Sequence, residues 1–139
     1  DRQSFVKLRA FFSKPAAWWG TAAVFAVVLL IAAVDNGVYE VTTPTAWSYH
    51  VLLRKFYSVV AFAVVGFPIT RARQLTGRSA SVSSIGWLIA AYSTVIEILQ
   101  YFLDPPPEGL LSNAIDIACG FLGGAIAAWA ASRIFKTRS

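Results

Sequence analysis

Arg54, Glu97 and Asp116 each fall inside a long apolar run, where a charge is hardest to accommodate. A guanidinium grips an anion such as phosphate through a planar fork of donors. A carboxylate accepts hydrogen bonds and can orient a bound group, or act as a base when it reaches the reacting atom. His50 lies four residues before Arg54 and Gln100 three after Glu97. The histidine reads as a ligand-binding or proton-handling group, or as a polar structural one. The candidate ligand-binding set is therefore His50, Arg54, Glu97, Gln100 and Asp116.

Each of the three charges continues a stripe at spacings of three and four, which puts side chains on one helical face. The first stripe is His50, Arg54, Tyr57, Ser58 and Ala61. The second is Ala90, Ser93, Glu97 and Gln100. The third is Ser112, Asp116, Gly120, and Gly123 or Gly124. The expectation is that these faces converge on a water-accessible pocket. The alternative is that Arg54 pairs with Glu97 or Asp116 and only specifies packing. Lys55, turned about 100° from Arg54, is expected to snorkel to the surface or meet lipid phosphate. Gly120-x-x-x-Gly124, with Gly123 between, is a small-residue spacing for close helix packing, within one bundle or between two copies.

Other chemistries lack their residues. One cysteine, Cys119, and one histidine leave no internal disulfide and no multi-cysteine or His-rich metal centre. No cofactor motif, nucleophile motif or phosphate loop occurs. The residues favour a non-enzymatic protein.

The elements that hold these residues are set by composition. Of 139 residues, 57% are hydrophobic and 14% charged, with mean hydropathy +0.60. Soluble domains carry about 25% charge, so the bilayer is the expected solvent. Residues 1–14 place Phe5, Leu8 and Phe12 on one face among four cations, an interfacial amphipathic helix. Apolar spans are expected at about 17–34, 48–70, 85–103 and 109–132, each near the length a membrane requires. Trp18 and Trp19 suit an interfacial belt, and Pro68 is expected to kink or end the second span. The expected fold is all-α, one polytopic domain of four transmembrane helices with the N-terminal interfacial helix.

Orientation follows from the twelve cations. The N-terminal segment has four, the 71–84 loop three and the tail three, whereas 35–47 and 104–108 have none. The positive-inside rule then puts both termini in the cytoplasm of a bacterial inner membrane. Arg54, Glu97 and Asp116 each lie roughly 9–10 Å below the outer ends of their spans at 1.5 Å per residue. The cations are juxtamembrane and divided among three segments, which accounts for the net charge of +5 without nucleic acid.

The segment Ser93–Ala127 resembles the core of the VanZ-like family of small bacterial membrane proteins. That family has a Glu-x-x-Gln helix, a short outer loop, a polar helix start, an Asp and then small residues. Here these are Glu97, Gln100, Ser112, Asp116 and Gly123, and His50 matches a histidine at the outer end of an earlier span. Where the family has Asp-Lys near that histidine, this chain has Ala46 and Trp47. The family takes its name from low-level resistance to the glycopeptide antibiotic teicoplanin. The resemblance implies four spans and a cell-envelope role without naming a reaction.

Three functions remain open. The first is an envelope protein binding an amphiphilic ligand or lipid headgroup in an outward pocket. The second is an accessory subunit packed into a larger membrane complex or homo-oligomer. The third is an enzyme on a lipid-linked phosphate, with Glu97 or His50 as base and Arg54 on the phosphate.

Overall fold

The computed structural model describes residues 2–35, 41, 48–103 and 109–136, side chains at 2, 5, 6, 8, 9, 110 and 136 excepted. A short helix, α1 (Arg2–Phe11), precedes four long ones: α2 (Pro15–Val34), α3 (His50–Leu75), α4 (Val82–Leu103) and α5 (Leu110–Lys136). No strand occurs among the described residues. All four long helices are apolar and long enough to cross a membrane. The expected connections at 35–47 and 104–108 lie largely or wholly outside the described residues, as do the side chains of Phe5 and Leu8 expected on the face of α1.

Local chemistry sets the ends. Pro15 opens α2, where a fixed φ and a missing N–H cost nothing. Pro68 does not end α3. It is buried in the interior of a helix that runs seven residues further, to Leu75. The Thr70 hydroxyl bonds the Gly66 carbonyl there at 2.8 Å. The actual stop is Gly77, which takes the left-handed φ of +69° that side chains disfavour. The Arg78 N–H then donates to the Arg73 carbonyl at 2.9 Å and the Gly77 N–H to the Gln74 carbonyl at 3.2 Å. This pair of reversed bonds satisfies carbonyls the helix leaves open. Arg71 and Arg73 therefore belong to α3, not to the loop assigned to 71–84. α4 likewise begins three residues earlier than expected, and α5 ends four later.

The long helices run up-down-up-down. At one end Trp18 stacks near Phe67 and Phe135, with ring centroids 6.3 and 6.2 Å apart. The Arg71 guanidinium lies 3.9 Å from the Phe135 ring centre, a cation–π contact. This is the end where α2 starts and α5 finishes, called here the terminal end. The opposite, far end carries His50, Gln100 and Ser112.

α5 is the central helix and packs along both α3 and α4. The reason is a run of small residues. A Cβ on Gly123 would stand 2.6 Å from the Val59 carbonyl oxygen and 2.7 Å from the Phe62 Cβ. One on Gly120 would meet the Ser93 Cβ at 2.7 Å, and one on Gly124 the Ile85 carbonyl oxygen at 2.8 Å. Real side chains do not fit at such distances, so α5 lies against both neighbours only because these positions are glycine. Phe62, Val65, Ile85, Ile89, Ile96 and Ala128 fill the core this creates.

α2 stands apart. It packs mainly on α3 and touches α4 sparsely. Two side chains of α4 hold it: the Tyr92 hydroxyl donates to the Ala26 carbonyl, and Gln100 Nε2 donates to the Ala33 carbonyl at 2.7 Å. Ala33 is in the last turn of α2, where carbonyls lack an intrahelical partner. Outside these contacts Val24, Val27, Val28 and Ile31 are each more than half exposed. An apolar surface of that kind suits contact with lipid rather than water.

Candidate functional site

The far end of α3 and α5 brings Lys55, Ser112 and Asp116 together. Lys55 Nζ lies 2.5 Å from Asp116 Oδ2 and 3.3 Å from Ser112 Oγ. Ser112 and Asp116 are one helical turn apart on α5, so both reach the same ammonium. The two charged side chains are not sealed: Lys55 retains 19% and Asp116 18% of its side-chain exposure.

The partner of Asp116 corrects the sequence reading. Its turn of about 100° from Arg54 predicts a Lys55 side chain that snorkels to the surface or meets lipid phosphate. It faces α5 instead. The glycines of α5 determine this, because they draw in the face of α3 that carries Val59 and Phe62. Lys55 precedes Val59 by four and Phe62 by seven, so it lies on that face. The stripe of His50, Arg54, Tyr57, Ser58 and Ala61 is therefore displaced to one side. Tyr57 is 45% exposed, and Ser58 spends its hydroxyl on the Arg54 carbonyl at 3.0 Å.

Beneath the ion pair, α4 closes the floor. Ser93 is fully buried and donates to the Asp116 backbone carbonyl at 3.1 Å. Its Cβ is the atom that excludes a side chain at Gly120. The second and third stripes thus meet at Ser93, Asp116 and Gly120.

The other expected site residues separate into two groups. His50, Arg54 and Glu97 are half-buried toward the same end of α3 and α4, and each engages other groups. Gln100 uses its amide nitrogen to tie down α2, so that donor is committed to packing. Cys119 is buried among helices. Among the described residues no cluster of three His, Cys, Asp or Glu side chains could hold a metal.

The arrangement suits anion or dipole recognition. An ammonium has three N–H donors. Among the described residues Asp116 and Ser112 take two, which leaves a third for a further acceptor. Lys55 was legible as a charge but not as a site residue. The signal that finds it is the small-and-apolar face Val59, Phe62, Gly66, read backward one turn.

Fold and site together define the class: an all-helical bundle with four helices fit to span a membrane and a partly open ion pair near one end. Comparison with family models, with curated proteins and with solved structures finds no match.

Proposed function

We propose that this chain is a non-enzymatic protein of a bacterial inner membrane, with both termini cytoplasmic and the Lys55–Asp116 site facing outward. The site binds the headgroup of an amphiphile through Lys55, with Asp116 and Ser112 holding the ammonium in place and Arg54 and Glu97 flanking it. One observation carries this reading: the ion pair among these helices retains side-chain exposure, and among the described residues two acceptors meet its ammonium. The resemblance to VanZ-like proteins supports a cell-envelope setting, which teicoplanin susceptibility of cells with and without the chain would probe.

Native mass spectrometry of the purified protein tests the binding. The wild type should carry one more anionic-headgroup amphiphile than Lys55→Gln does. Asp116→Asn should keep or increase it, because that change frees the ammonium. Equal retention by Lys55→Gln and wild type overturns the reading.

A further inference from the structure

A second polar feature lies at the terminal end, remote from Lys55. A cavity of about 420 Å³ opens between α2, α3 and α4. Ligand pockets typically span about 300–1,000 Å³. On its inner side α2 is held to α4 by the hydrogen bonds of Tyr92 and Gln100. Tyr92 and Ala26, joined by a hydrogen bond, line its inner part. Along α3 the lining runs Val65, Ile69, Arg73, a single face at spacings of four. From Val65 to Arg73 that face rises roughly 12 Å. Leu88 and Trp19 supply the facing walls.

Its polarity is asymmetric. The walls from Val65 to Ile69 are apolar, whereas Arg73 and Arg78 both line the cavity on the terminal side. The two cations are adjacent by construction, because the left-handed turn at Gly77 folds Arg78 back until its N–H bonds the Arg73 carbonyl. Arg73 Nε is buried and has no hydrogen-bond partner among the described residues. A buried donor left unmatched is costly, and here it belongs to a guanidinium that lines a cavity. Arg71 Nε is likewise buried without a hydrogen-bond partner among the described residues, but its guanidinium is stacked on Phe135 and Arg71 does not line the cavity.

We infer that this cavity binds an anionic phospholipid, with its phosphate at Arg73 and Arg78 and the start of one acyl chain laid between Ile69, Leu88 and Trp19. Charge complementarity selects the phosphate, since guanidinium forks match it with paired bonds. The apolar wall and its position at the end of the spans select a lipid over a free ion. The site uses no residue of the Lys55 cluster.

The test is retention of added lipid by the full chain, read by native mass spectrometry. Protein is equilibrated with phosphatidylglycerol or with phosphatidylcholine, whose headgroup has no net charge. Wild type should hold phosphatidylglycerol about tenfold better, because the choline cation of the other lipid offsets the pull of two guanidiniums on its phosphate. In a Lys55→Gln background, which removes the other headgroup site, the preference should persist, and adding Arg73→Gln/Arg78→Gln should abolish it. Leu88→Trp, which fills the cavity and keeps both cations, should also lose the lipid. Equal retention of the two lipids by wild type overturns the inference without recourse to any variant. So does displacement of phosphatidylglycerol by millimolar inorganic phosphate, which would make the cations a free-anion site.

Discussion

Asp116 decides the chemistry of the far end through a single neighbour. An ion pair in a membrane span offsets a cost that insertion scales put at about 2.5–3.5 kcal/mol per central charge. Removing one member leaves the other uncompensated, and the penalty for a partly exposed pair is smaller than for a sealed one. Asp116→Asn and Lys55→Gln should therefore each destabilise the bundle by about 1–3 kcal/mol. The double variant should recover part of that loss, because the two residues share one interaction. Unfolding in a denaturant series in detergent micelles measures all three. Additive losses would mean that the pair contributes nothing. The sequence made Asp116 and Ser93 legible, since each sits in a stripe of three and four. It did not reveal Lys55, because which face of α3 meets α5 depends on how closely α5 can approach. That distance is a property of Gly120, Gly123 and Gly124 acting on a different helix.

Among elements, α5 and α2 contrast most. α5 is wedged between neighbours with no room for a methyl group at Gly123, whereas nothing lies within 4 Å of where a Cβ on Gly20 of α2 would be. The same substitution should then act in opposite directions. Gly123→Ala forces α3 from α5 and should cost about 1–3 kcal/mol, the usual range for overpacking. Gly20→Ala meets no atom and should be neutral or stabilising by up to about 1 kcal/mol through helix propensity. Thermal denaturation of the two variants in one detergent compares them directly. The helix limits were readable to within a few residues except at α3. There the apolar run ends near Thr70, but the backbone continues to Gly77, where a glycine can reverse it. Composition marks the edge of the apolar layer, and the left-handed residue marks the end of the helix. The two differ by nearly two turns, which is why the apolar pattern places Arg71 and Arg73 in a loop and does not reveal the cavity beside Arg73.

At the scale of the whole molecule, up-down-up-down packing gathers the basic residues and the aromatic cluster of Trp18, Phe67 and Phe135 at the terminal end. It leaves Lys55 and Asp116 at the other. The all-helical architecture and the number of spans followed from apolar length alone, because each run is near what a bilayer demands. The open space between α2 and α4 did not, since it depends on where α2 is fastened: to α4 by Tyr92 and Gln100, and at the terminal end through Trp18 to Phe67 and Phe135 instead. The central claim is that the ion-pair end faces outward and remains reachable from water. The lysines of the chain are Lys7, Lys14, Lys55 and Lys136, and the proposed topology leaves Lys55 alone on the outer side. A membrane-impermeant amine reagent applied to sealed, right-side-out vesicles, followed by peptide mapping, reads this directly. Lys55 should be modified from outside, faster in Asp116→Asn, with Lys7, Lys14 and Lys136 protected until the vesicles are opened. Modification of Lys7, Lys14 or Lys136 in sealed vesicles, with Lys55 untouched, would contradict the account.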